Sequence, residues 1–372
     1  MRSSELLRVG ITVWIAIQLG GCSSIITTRE HEKNQYDADN PNISYVGRFN
    51  NKDPKNVTYD WPGVQIYTKF EGTSCSLRLK DRANEYAVII DYKDPMTLKM
   101  NSDTIYNVAS GLPDSIIHTI SIHKRTESFI GTGEFRGFIL DPGKNLVHPD
   151  LRPDKRIEFI GNSITCGFGV EGKNSDCHFS PETENAYMSY AAITARDLGA
   201  DYSLVAYSGR GVVKNFGDKN QVSRDPMPEL YDRICCNDSV NKWDFNKWIP
   251  EAVVINLGTN DYSAQPFPDK SVFQNAYINL IERVRSLYPG VTIFCVCGPM
   301  IEEPCFTFIK EIVDQEQAKT VIPSVYFIGI PKKIMSDADW GCDWHPNIQG
   351  MRKMADIIVP EIRLRMKWDL LN

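Results

Sequence analysis

The sequence predicts two domains of different class: an antiparallel β-sandwich, then a doubly wound α/β domain built on a parallel sheet. Three observations carry this. Apolar residues recur with a period of two from about Asn42 to Leu140. Beyond Asp154 the pattern changes to short apolar strands separated by helical stripes. A chain of 372 residues is also longer than one typical core supports.

The sandwich reading rests on alternating runs: Val64, Ile66, Thr68 and Phe70; Cys75, Leu77 and Leu79; Tyr86, Val88, Ile90 and Tyr92; His118, Ile120 and Ile122. Turn signals divide them at Glu71-Gly72, Asp94-Pro95, Ser110-Gly111 and Gly131-Thr132-Gly133. The segment from Asp141 to Asp154 is rich in proline and charge and reads as the connection between domains. After it, strands are expected at Arg156–Ile160, Asp201–Tyr207, Ala252–Leu257, Val291–Val296 and Val325–Ile330. The cleanest helix runs from Ser271 to Leu287, where Val272, Phe273, Ala276, Tyr277, Leu280, Ile281, Val284 and Leu287 share one stripe and Pro289-Gly290 stops it. Strands alternating with helices imply a parallel sheet covered on both faces.

The amino terminus carries Arg2 and Arg8 ahead of an apolar run from Val9 to Leu19, too short to span a bilayer well. Leu19-Gly20-Gly21-Cys22 closes it and resembles a bacterial lipoprotein signal, in which the cysteine is lipidated; an ordinary secretory signal is the alternative. The expected organisation is therefore a signal over 1–22, a tether over 23–41, a sandwich over 42–148 and an α/β domain over 154–372. Such a chain would sit in the bacterial cell envelope, held to the membrane by lipid. The net charge of −6 argues against a nucleic-acid partner. With Cys22 lipidated, nine of the ten cysteines remain, so at least one is unpaired within the chain. Cys295 and Cys297 read as packing residues on one side of a strand, Cys166 and Cys177 flank the loop after Ser163 and could brace it, and Cys235-Cys236 has no evident partner. No spacing matches a structural zinc site, and neither metal nor cofactor is called for.

The chemistry concentrates at strand ends. Arg156-Ile-Glu-Phe-Ile160 runs straight into Gly161-Asn162-Ser163-Ile164-Thr165, which puts a serine at the rim of the sheet and at the start of a helix. Ser208-Gly209-Arg210-Gly211 follows the second strand, Gly258-Thr259-Asn260-Asp261 the third, and Asp343-Trp344-His345-Pro346-Asn347 lies past the fifth. A serine, a histidine, a glycine amide and an asparagine amide gathered on one rim meet the needs of acyl transfer: nucleophile, base, and donors for an oxyanion. Each residue has a plainer reading too. Ser163 could be a helix cap, Asn260 and Asp261 turn formers, and Trp344 core packing.

The four blocks GNSIT, SGRG, GTND and DWHPN, in that order, resemble those of the SGNH (GDSL-type) hydrolases. The resemblance implies Ser163 as nucleophile, His345 as base, and an oxyanion hole from the Ser163 and Gly209 amides and the Asn260 side chain, with Gly211 a weaker substitute for Gly209. A leading sandwich together with GNSITCG, INLGTNDYS and DWHPN is similar to carbohydrate esterase family 2, which pairs a jelly-roll domain with an SGNH domain. That implies a serine esterase removing O-acetyl groups from xylan or glucomannan. From its place beside the base, Trp344 is expected to wall the pocket against a sugar face, and Tyr262, just past Asn260, is expected to line the same cleft as a substrate contact or to fill its floor. An envelope carbohydrate-binding protein with weak turnover, or an esterase for another acylated sugar or a lipid, is the alternative.

The family pattern commonly places an acid three residues before the histidine, where this chain has Cys342. Asp343 is two residues before His345. In an extended loop its carboxylate would point the same way as the imidazole; in a tight turn it need not. Asp343 as third member of a triad, or a main-chain carbonyl in that role, both stay open. His178, in a polar loop, is given no role.

Overall fold

The computed structural model describes residues 34–321 and 324–368. The expected signal and lipidated Cys22, and most of the expected tether, lie outside them. Among the described residues no helix is long and apolar enough to cross a membrane.

The first half is two antiparallel sheets. In chain order the strands are β1 (Asn34–Asp37), β2 (Ser44–Val46), β3 (Val57–Tyr59), β4 (Gln65–Phe70), β5 (Cys75–Asp81) and β6 (Glu85–Ile90). They continue with β7 (Met96–Lys99), β8 (Ser102–Ala109), β9 (His118–Lys124), β10 (Gly133–Leu140) and β11 (Leu146–Val147). One sheet runs β1-β10-β5-β8 with β3 also on β10; the other runs β11-β4-β9-β6-β7 with β2 on β4. Alternation was legible in β4, β5, β6 and β9 because one face of each is buried. The expected tether ends too late: Asn34–Asp37 is already a strand, paired with β10 in register from Asn34↔Leu140. It escapes a hydrophobic pattern because it is a polar edge strand with no buried residue.

The second half is a parallel five-stranded sheet of β12 (Arg156–Gly161), β13 (Asp201–Ala206), β14 (Ala252–Asn256), β15 (Thr292–Cys297) and β16 (Val325–Gly329), in the order β13-β12-β14-β15-β16. Strands β12 to β15 are almost wholly buried, which is why they read as continuous apolar runs, while the edge strand β16 is half-buried at three of its five residues. The helices are α1 (Ser163–Cys166), α2 (Tyr190–Asp197), α3 (Met227–Leu230), α4 (Lys270–Leu287), α5 (Cys305–Ala318) and α6 (Ile348–Met366). β13 and β14 flank β12 on opposite sides, so the strand order reverses at β12 and a crevice opens beyond its carboxyl end.

The two halves share one hydrophobic core. A single cluster of buried side chains runs from Trp61, Phe70 and Phe138 in the sandwich to Val253, Ile255 and Tyr277 of the α/β half. Across the same boundary Arg48 reaches Glu158 on β12 at 3.3 Å, both 1 % exposed, and donates to the Arg233 carbonyl at 3.0 Å. Removing one member of such a pair would leave an uncompensated charge in the core, a cost of about 3–5 kcal/mol.

Candidate active site

Ser163 follows β12 after a single residue, Asn162. Asn162 caps α1, its side-chain oxygen accepting from the Ile164 amide at 3.1 Å. The turn needs glycine at 161, because a Cβ there would lie 2.0 Å from Thr165 Oγ1. Strand end, cap and glycine together hold Ser163, only 8 % exposed, at the crevice floor.

His345 approaches from the loop before α6. Its Nε2 lies 2.8 Å from Ser163 Oγ and its Nδ1 lies 3.0 Å from the main-chain carbonyl of Asp343. With the carbonyl as acceptor, Nδ1 carries the proton and Nε2 is free to accept the serine hydroxyl. Burial drives the imidazole pKa down to about 4, against a smaller upward pull from the main-chain bonds and the Asp343 charge. The ring is therefore neutral at pH 7. Phe168 packs on it at 4.3 Å between ring centroids.

The Asp343 carboxylate does not meet His345. Oδ1 sits 2.8 Å from His178 Nδ1, and Oδ2 accepts from the Phe179 amide at 2.9 Å. Partial burial disfavours its ionisation, but the bonds from His178 and Phe179 outweigh that and hold the pKa below the usual aspartate value. The cause of the reversal is backbone shape: Asp343 and Trp344 are both left-handed, at φ 51° and 59°. The loop is the tight turn, not the extended segment, and it delivers the carbonyl to the imidazole instead of the carboxylate. Two consecutive non-glycine residues in this region are costly, of order 1–3 kcal/mol each, and persist only where surroundings enforce them. Here a Cys177–Cys342 disulfide, the Asp343 amide on the Cys177 carbonyl at 2.9 Å, and the Cys342 amide on the Gly169 carbonyl at 3.1 Å do so. Cys177 thus braces the loop after Ser163 by pairing with Cys342, while Cys166 is a buried free thiol. Cys235, Cys236, Cys295 and Cys297 are likewise free and buried.

Gly209 is left-handed at φ 76° and lies across the crevice from His345. Among the described residues neither its amide nor that of Ser163 donates to a protein acceptor. The Gly211 amide, the weaker substitute, is occupied by Asn215 Oδ1 at 3.2 Å. Asn260 follows β14, and its Nδ2 donates to the Arg210 carbonyl at 2.8 Å, which turns the amide toward the loop that carries Gly209. Asp261 is buried and accepts from the amides of Val212, Val213 and Lys214 at 2.7–2.9 Å, pinning the same loop. Ser163, Phe168, Gly209, Asn260 and His345 together line a cleft of about 540 Å³, with Met300 and Ile301 supplying an apolar side.

Of the two expected sugar contacts, Trp344 is 56 % exposed but is not among the residues lining the cleft, its ring lying 6.3 Å from that of Trp340. Tyr262 is not in the cleft: it is 4 % exposed and packed edge-on against Phe267, Phe273 and Phe308. Proximity in sequence to Asn260 was misleading because the chain turns inward after Asp261. A residue that sequence reasoning passed over is Glu127, which enters from the sandwich and holds Ser208, next to Gly209. No motif marks it.

Known proteins resemble both halves of the chain. A family model described as carbohydrate esterase 2 N-terminal matches residues 45–149, and one described as the GDSL-like lipase/acylhydrolase family matches residues 159–353. The cellulase/esterase CelE of Acetivibrio thermocellus is 39 % identical over 342 residues, which is 89 % of this chain and 40 % of that protein. This chain therefore spans less than half the length of that relative. An acetylxylan esterase/glucomannan deacetylase of Cellvibrio japonicus is 28 % identical, over 83 % of this chain and 86 % of that one. The solved structure of a family two carbohydrate esterase from Clostridium thermocellum in complex with cellohexaose superposes with a TM-score of 0.81 at 36 % identity, covering 88 % of this chain and 99 % of that one. With a sandwich and an acylhydrolase sheet matched over nearly all the described residues, the chain belongs to carbohydrate esterase family 2.

Proposed function

We propose that this protein is a serine esterase that removes O-acetyl groups from a plant cell-wall polysaccharide such as xylan or glucomannan. The observation that carries the reading is the 2.8 Å contact between Ser163 Oγ and a neutral, Nδ1-protonated His345 inside an open cleft. Further support comes from relatives named acetylxylan esterase/glucomannan deacetylase and from a relative solved with a bound oligosaccharide.

In this mechanism His345 Nε2 takes the Ser163 proton as Oγ attacks the acetyl carbonyl. The negative oxygen of the tetrahedral intermediate is met by the Ser163 and Gly209 amides and Asn260 Nδ2. The imidazolium returns its proton to the departing sugar hydroxyl, leaving acetyl on Ser163. Water, deprotonated by the same nitrogen, then releases acetate. The Asp343 carbonyl fixes the tautomer throughout, while the Asp343 carboxylate holds the loop. The cation that forms touches no carboxylate and feels the Asp343 charge only through space, as a pull smaller than the effect of burial, so catalysis leans on the oxyanion donors. The exposed ring of Trp344, one residue before His345, offers a face for a sugar.

Acetate release measured across acetylated xylan, acetylated glucomannan and a small acetyl ester tests the reading. Release from polymer faster than from the small ester supports it; hydrolysis of the small ester alone points to another acylated substrate. Lipidation at Cys22 belongs to the same proposal and places the enzyme at the cell envelope. Labelled fatty acid should enter the wild-type protein and not Cys22→Ser; equal labelling would refute the anchor.

A further inference from the structure

The connection after β9, residues 125–132, leaves the sandwich and enters the α/β half. Its Glu127 is fully buried. Ser208 donates to this one carboxylate twice, from its hydroxyl to Oε1 and from its amide to Oε2 at 2.6 Å. Ser208 immediately precedes Gly209, and both line the cleft. The peptide that joins them carries the Gly209 N–H, so fixing Ser208 at both its amide and its side chain anchors the Cα from which that donor hangs, and the Arg210 amide on the Tyr207 carbonyl at 3.3 Å closes the turn across it.

The carboxylate is itself fixed. The Glu127 amide donates to Glu184 Oε2 at 3.1 Å, and a carboxylate oxygen of each acid and Cys166 Sγ lie within 4.8 Å of one another. Cys166 closes α1, the helix that begins with Ser163. Lys124 Nζ, also buried, donates to the carbonyls of Thr126 at 2.6 Å and Glu127 at 3.2 Å. One buried cation beside two buried acids favours a single negative charge on the pair. Glu184 is pushed well above the usual carboxylate range by burial and then by the charge of Glu127. Glu127 is raised by burial, and the bonds from Glu184 and Ser208 oppose that rise. A carboxylate is a strong acceptor for two donors in one fork. A negative charge so near a developing oxyanion is unhelpful in itself. Its value here lies in geometry: the Glu127 carboxylate is a fixed acceptor for both Ser208 donors.

We propose that Glu127 is a positioning residue for ester hydrolysis, holding the Ser208–Gly209 peptide so that the Gly209 amide points at the oxyanion, and that the sandwich thereby completes the catalytic site. The proposal rests on the serine-esterase reading above. It makes the sandwich a structural part of the hydrolytic centre, whether or not it binds glycan elsewhere.

The test uses the whole chain, 4-nitrophenyl acetate as probe, and three substitutions measured well below each variant's Tm. Glu127→Gln keeps an acceptor for the Ser208 amide and should hold kcat within about threefold of wild type. Glu127→Asp keeps the charge but withdraws it by one methylene, and Glu127→Ala removes it. Both should lose about tenfold to a hundredfold in kcat with KM within about twofold, the cost of a donor displaced by a fraction of an ångström to an ångström. Should the Ala variant fail to fold, the Gln and Asp pair carries the test alone. Full kcat in Glu127→Asp, a loss confined to KM, or a Gln variant as slow as the Asp variant would overturn the proposal. Ser163→Ala run alongside separates the two readings: if it is inactive while the Glu127 variants keep their kcat, only the positioning role falls. If Ser163→Ala hydrolyses the ester normally, the site lies elsewhere and both fall.

Discussion

The nucleophile turn and the histidine loop face each other across 2.8 Å, yet they are built on opposite principles. Residues 161–166 use local rules: a strand end, a glycine, an Asn162 cap and a helix start, all within six residues. Residues 341–345 use long-range ties. Two left-handed residues in succession are held by a disulfide closing 165 residues of separation and by Asp343 bonds to His178 and Phe179. Local construction makes a nucleophile legible in sequence and tolerant of distant change. Long-range construction lets a carbonyl orient the base, at the cost of dependence on a remote segment.

The largest expected effect lies on the local side. Ser163→Ala should fold normally and lose on the order of a millionfold in kcat toward 4-nitrophenyl acetate. Near-normal turnover in the folded variant would remove the nucleophile turn from the comparison altogether. Asn260→Ala, also on a strand end, should cost roughly a hundred- to a thousandfold in kcat with KM little changed. A defect in KM alone would make Asn260 a substrate-positioning residue.

The histidine loop should respond differently, through stability as well as rate. Cys177→Ser removes a native disulfide and should lower stability by about 2–5 kcal/mol. Because the hydrogen bonds to the carbonyls of residue 177 and Gly169 and from the Phe179 amide remain, kcat in the folded fraction should fall only about tenfold. An unchanged Tm and rate would show that the loop holds its shape without the bridge.

The same contrast explains what could be read from sequence. The parallel strands, α4 and the four site blocks were legible because buried faces and strand-end motifs are local patterns. Asn34–Asp37 was not, since a polar edge strand has no period to detect. The direction of the Asp343 carboxylate was not, because spacing of two gives opposite answers for extended and left-handed backbone. The Cys177–Cys342 pairing and the Glu127–Ser208 contact join positions 165 and 81 residues apart, and no local signal encodes either. Tyr262 was misplaced for the converse reason: it stands next to a site motif in sequence while its ring lies in the core.

Orientation of His345 by the main chain is what separates this site from a carboxylate triad. Its most direct test is Asp343→Asn, with kcat and the pH profile of kcat/KM measured on one small ester. Only neutral His345 can accept the serine proton, so activity should fall as pH drops through the histidine pKa. Burial sets that acid limb near pH 4, not near the ordinary 6.5. The Asp343 carbonyl survives the substitution, and the new side chain still offers an acceptor to the Phe179 amide. The account predicts kcat within about tenfold of wild type and an acid limb that stays well below 6.5. A loss near ten-thousandfold, the size expected when a triad carboxylate is neutralised, would contradict it and return the carboxylate to the imidazole.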